Sequence, residues 1–504
     1  MSFSNLLLAS IILFMHLSSF KIKCYLVFPL ESTFIKDPTI KDTDFFTNLF
    51  QNELFINFNI GSNEENIKAI LKMDKYGFLI YENAYNYNNS KTYEKLIPDY
   101  EDNLKTSWVK DCDQIASKDI FYIPNQDNNN QMIKTNKTRF LRLKQKENKT
   151  VYFNEMYYKN AIIGLKYNSN SYFNAPEFVK ELKNSKAIDN YYFYLVFDKP
   201  TKNGFALNNN KGKLIIGKDL DENDTIHTEC ISYPGELIWG LEFNNIYTKK
   251  NNEDKKKFED IKLKAEIIGT FPYIKAPYIF YEYLRKNFFE NLLQKNICKR
   301  INFSKHDIYL DKNYYSYVCN GESNIFMESL NNNFPEIIFE HKIFNQYFNL
   351  TKNDLFAFNN FDNNDNNLYF LMVSKEDSTE WTLGIPFLKN YIFSYNYESK
   401  MVGYYADYGK EKNNEDKNNN FFKSLAFKII IIVVLVILVF ALGVIFQKYY
   451  KKSRKKKANE LDDDFDYEPQ KDNNNNNENN NIEDNNKYES NKNNEGNESL
   501  GINE

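Results

Sequence analysis

The sequence predicts a mostly-β body, followed by a single transmembrane helix and a disordered tail. Three observations carry that expectation. From about Asn52 to Tyr408, short aromatic and β-branched runs alternate with Asn, Asp and Lys clusters, the pattern of many short strands divided by turns. Ile429 to Phe446 is uninterrupted by charge and long enough for one bilayer crossing. From Ala458 onward the chain is acidic, Asn-rich and nearly free of apolar residues, so it lacks the means to form a core. With 504 residues, 42% of them hydrophobic, the rest has ample material for a large core. The excess of Tyr (38) and Phe (43) over Gly (16) and Pro (12), with abundant Asn, Lys and Ile, suggests an AT-rich coding genome of the kind some protists carry.

Taken in order, the apolar run Leu6–Met15 reads as a secretory signal peptide (residues 1–23), followed by a leader over 24–50. Leu54–Ile60, Tyr192–Phe197 and Lys213–Gly217 read as strands. Pro176–Lys183 places Phe178, Val179 and Leu182 at helical spacing, and Ala276–Lys286 is a second helix opened by a proline. Asn251–Lys257 and Asn359–Asn367 are polar inserts. A stalk over 409–424 leads to the expected span, 425–447. The basic run Lys448–Lys457 then sets a cytoplasmic C-terminus, with the N-terminus in the lumen or outside, in a secretory organelle or at the plasma membrane. The tail is 448–504.

Cysteine usage agrees with secretion. Cys112, Cys230, Cys298 and Cys319 are an even set of disulfide candidates whose pairing stays open. Asn88, Asn136, Asn148, Asn223, Asn302 and Asn349 each open a glycosylation acceptor triplet. The net charge of −4 is too small for this length to imply an electrostatic partner. No phosphate loop, metal-ligand spacing or nucleic-acid motif is present, so no cofactor, metal or nucleic acid is expected.

Several segments, in order, resemble the pepsin-like aspartic proteases. Phe55–Gly61 resembles the family's opening strand. Ala69–Asp74 resembles the strand entering the first catalytic turn, and Phe78–Tyr81 the hydrophobic strand leaving it. Ser90–Tyr93 resembles the Ser/Thr-Tyr segment that follows. Ala161–Leu165 resembles the family's Gly-Ile-Leu-Gly-Leu strand, Leu214–Asp219 the glycine strand joining the lobes, and Pro234–Trp239 the segment after it. Phe334–Phe339 and Trp381–Tyr405 resemble the closing strands of the C-lobe. The resemblance implies a bilobal fold with a central cleft, its N-lobe over 51–220 and its C-lobe over 221–408.

The family's chemistry needs two carboxylates that share one proton, each set on an Asp-Thr/Ser-Gly turn. This chain contains no such triplet. By the resemblance the first turn reads Asp74-Lys75-Tyr76-Gly77, which keeps the acid and loses its neighbours. Counting back from Pro277, the second reads Ile268-Gly269-Thr270. Sliding that match by one or two positions would bring Ile267 or Glu266 into place. No catalytic residue is therefore assigned. The implied function is a type I membrane protein whose inactive, protease-like ectodomain binds a protein or peptide ligand, in adhesion or cargo handling. Two alternatives stay open: an active membrane-bound endopeptidase with an unconventional dyad, and a structural or sorting protein acting through its tail.

Overall fold

The computed structural model describes residues 25–405, with breaks at 35–48, 50–51, 97–108, 110–111, 126–130, 146–159, 168–174, 199–210, 221–224, 234–235, 252, 259–262, 308–309 and 359–365, and separately 441–452 with 454. The mostly-β expectation holds across the first of these units. Runs rich in β-branched and aromatic residues form strands where their spacing predicts: Asn52–Ile60, Ala161–Leu165, Tyr192–Phe197 and Gly212–Ile216. The two expected helices form over Phe178–Asn184 and Tyr278–Leu284, and the second continues through a wider π turn at Arg285–Phe289.

The same strand arrangement occurs once in each half of the chain. In the first half, strands Glu65–Lys72 and Tyr76–Tyr81 follow one another but are not neighbours. Strand Ala161–Leu165 runs between them, parallel to the first and antiparallel to the second. In the second half, Trp381–Leu383 runs between Lys264–Ile267 and Ile274–Lys275 with the same two senses. Every strand threaded this way needs space where it passes the turn. Gly164 supplies it: a Cβ there would lie 2.6 Å from the Lys75 carbonyl oxygen. Gly77, directly opposite, holds φ at +102°, a region open to glycine. Gly384 plays the corresponding part, since a Cβ there would strike the Phe271 and Tyr273 carbonyl oxygens.

The halves are joined by a shared run of strands. Ile226–Glu229, Met401–Tyr404, Phe393–Asn396, Tyr192–Phe197, Gly212–Ile216 and Leu26–Phe34 pair side by side, all antiparallel. The seam is Phe193 opposite Tyr395, whose rings stack at 4.8 Å. Trp239, 2% exposed, packs against both rings and donates its indole N–H to the Leu165 carbonyl at 2.6 Å. Leu26–Phe34 falls within the stretch expected as a leader, and its apolar side chains instead complete this sheet.

Among the described residues one disulfide forms, Cys298–Cys319, between residues directly opposite on the hairpin of Cys298–Asp307 and Leu310–Asn320. Cys112 and Cys230 are buried thiols, not halves of a second bridge. They belong to different apolar clusters, Cys112 beside Leu79 and Leu141, Cys230 in the main core. Burial pushes the Cys230 thiol up to about 12.

The membrane expectations are corrected. No helix among the described residues is long and apolar enough to cross a membrane. Of the span expected at 425–447, only 441–447 lies within the described residues, where 441–452 is helical. A transmembrane helix behind the β body, a single-pass type I topology, membrane anchoring and a lumenal-to-cytoplasmic placement therefore find no support. Residues 1–23, 409–424, 425–440 and most of the tail lie outside the described residues.

Two outcomes follow from this packing. Gly164→Ala should destabilise the fold by about 3 kcal/mol, because backbone atoms rather than a movable side chain oppose the new methyl; a urea denaturation midpoint checks it. His341 is 2% exposed, stacks on Phe344 at 4.2 Å and accepts the Phe344 N–H at Nδ1. Burial pushes its pKa down from 6.5 to about 4. Below 6.5 the unfolded chain takes up a proton that the folded chain refuses, so stability falls as the pH drops. The loss should total about 3 kcal/mol by pH 4. Melting temperatures across that range should fall less steeply in His341→Phe.

Candidate functional site

The two threaded strands identify equivalent residues in the two halves. Gly164 lies opposite Lys72 on one side and Gly77 on the other. Leu383 lies opposite Ile267, and Thr382 opposite Lys275. Carrying those registers forward sets Gly384 opposite Ile268 and Tyr273, and the Ile268 N–H donates to the Leu383 carbonyl at 3.0 Å. Lys72 thus corresponds to Ile268, and Gly77 to Tyr273, at the same 196-residue offset that separates Met73 from Gly269.

These turns meet across the seam. The Gly269 N–H donates to the Met73 thioether sulfur at 3.0 Å, and the Met73 N–H points at the Thr270 hydroxyl at 3.4 Å. Met73 is 2% exposed, Thr270 3%. A Cβ at Gly269 would lie 2.4 Å from the Leu195 side chain and within 3.1 Å of those of Leu388 and Met73, so these side chains would have to shift to admit one.

The register displaces the sequence-based assignment in the first half. Lys72, two residues before Asp74, is the counterpart of Ile268. Residue spacing alone pointed to Asp74 because it is the sole acid in the turn. Lys72 is engaged with the buried Glu53 in an ion pair. Ile268 is 3% exposed and carries no ionisable group. Asp74, the counterpart of Thr270, pairs with its neighbour Lys75 at 3.2 Å. Tyr76 opens the outgoing strand, opposite Leu165. Glu266 and Ile267 sit within strand Lys264–Ile267, opposite Thr382 and Leu383, before the turn. The clasped turns therefore hold one ion pair where a dyad would hold its first acid and an apolar side chain where it would hold the second. Two carboxylates sharing a proton cannot be assembled from these groups. Among the described residues, no group of three or more His, Cys, Asp or Glu is placed to hold a metal ion.

The glycosylation candidates separate by surroundings. Asn88 is exposed on the short turn Tyr87–Asn89. Asn302 is exposed on strand Cys298–Asp307. Asn136 commits its amide N–H to the Ser185 carbonyl at 3.0 Å. Asn349 lies within strand Gln346–Leu350 with its amide oxygen enclosed. Asn148 and Asn223 lie outside the described residues.

No family model matches the chain, and no curated protein matches it. Sequence comparison therefore does not supply the aspartic-protease family expected from the order of the motifs.

The clasp predicts its own sensitivity. Thr270→Val should leave the Met73 N–H buried without an acceptor and lower stability by about 1–3 kcal/mol. Thr270→Ser should retain most of that stability, as read from parallel urea titrations.

Proposed function

We propose that residues 25–405 form a catalytically silent body of the pepsin-like type, which binds polypeptide without cleaving it. One observation carries this reading: the clasped turns bring Lys72 and Ile268, not two carboxylates, to equivalent positions. The repeated threaded strand, the joining sheet and the ordered motifs support the likeness. The Lys72–Glu53 pair and the apolar Ile268 support the loss of chemistry, because each replaces a proton-sharing acid with a group that has no such role. No membrane topology or cell-surface placement is attached to it.

The test is incubation of the purified chain with a peptide library from acid to neutral pH, beside Asp74→Asn. No cleavage above that control is expected in any condition. Cleavage abolished by Asp74→Asn would sink the proposal, since a lone carboxylate would then be acting as a catalyst.

A further inference from the structure

Arg142 lies on strand Thr138–Gln145, opposite Ile80 and Ile115. It is only 7% exposed, and its Nε and Nη1 are enclosed without a hydrogen-bond partner. Arg139, on the same strand, shows the ordinary solution: its fork meets the Glu181 carboxylate, with Nη2 at 2.7 Å. Arg142 has an aromatic bed in place of an acid. Its guanidinium carbon lies 3.7 Å from the Tyr87 ring centroid and 5.7 Å from that of Tyr93.

The bed is fixed in place before any ligand arrives. Tyr87 and Tyr93 lie 5.1 Å apart. The Tyr87 hydroxyl donates to Glu82 at 3.2 Å, and the Tyr93 hydroxyl lies 3.0 Å from that of Ser117. The chain between and beside them is tied to Asp119, which is fully buried and accepts from the Tyr85 and Thr92 hydroxyls. Of the acids on this segment, Glu82 is engaged by Tyr87 and Glu94, beside Tyr93, by Lys137, so the enclosed Nε and Nη1 of Arg142 have no acceptor.

A buried cation is strongly disfavoured unless an anion compensates its lost hydration, and aromatic faces offset only part of that loss. We propose that Arg142, over the Tyr87–Tyr93 bed, is a binding site for an oxyanion, the carboxylate or phosphate group of a small ligand. The planar guanidinium fork matches two oxygens of either group, which a lysine ammonium does not. The site shares no residue with the clasped turns and stands apart from the polypeptide-binding reading.

The full chain would be titrated with sodium acetate, and separately with inorganic phosphate, at constant ionic strength set with chloride. The readouts are the arginine Nε–H resonance and the melting temperature, in wild type, Arg142→Met and Arg142→Lys. A saturable change is expected in wild type, lost in Arg142→Met and weakened by about tenfold or more in Arg142→Lys. Saturation by acetate alone assigns a carboxylate ligand; saturation by phosphate alone assigns a phosphate group. An equal response in Arg142→Met means an adventitious ion only and overturns the site, as does no saturable response to either anion. Should Arg142→Met fail to fold, the wild-type resonance and Arg142→Lys decide the question.

Discussion

The structure depends on a strand being passed between two others at a point where the backbones nearly touch. That crossing occurs at Gly164 and again at Gly384, and in both places a methyl group would overlap backbone carbonyl oxygens. Close packing at the crossings brings the two turns, 73–75 and 268–273, to the seam between the halves. Once there, they clasp through Met73, Gly269 and Thr270. The joining sheet and the aromatic packing around Trp239 hold that seam from the other side. The clasp joins residues 196 apart in sequence.

The groups brought to the crossings decide the chemistry. Two acids held there would repel each other and resist shared ionisation, which is useful to an enzyme and destabilising to a fold. Lys72 with Glu53 and the apolar Ile268 remove that repulsion. Thr270 and the Met73 sulfur satisfy backbone N–H groups that would otherwise be buried without acceptors. The turn region is organised for cohesion, and its remaining carboxylate, Asp74, is held by an ion pair with Lys75.

Away from the seam, the many Phe and Tyr side chains fill the cores of both halves, with Phe58 and Phe78 each against Phe121 and Phe178 in the first, and Phe289, Phe356 and Phe370 in mutual contact in the second. Polar groups enter these cores under strict accounting. Asp119 is fully buried and satisfied by hydroxyls and the Ile120 N–H. Arg139 has Glu181. Arg142 alone of these three rests chiefly on aromatic faces, which is why it stands out as a place prepared for an anion.

The sequence by itself determined the β character of the body, through short β-branched and aromatic runs, and the positions of two of its helical segments. It also determined that no Asp-Thr/Ser-Gly turn exists, because composition at a motif is a local property. Tertiary structure alone decided which residues stand at the crossings, because strand register is set by packing across sheets and not by spacing along the chain. Hence Lys72, rather than the conspicuous Asp74, occupies the position equivalent to Ile268. The same holds for Cys298 with Cys319, chosen by facing positions on a hairpin, and for Leu26–Phe34, an expected leader that completes a sheet. Arg142 was hidden for a related reason: in an alternating strand a charged residue reads as solvent-facing, and only the chain folded over it reveals that it is buried. The apolar run near the C-terminus satisfied a length rule, whereas no helix among the described residues is long and apolar enough to cross a membrane.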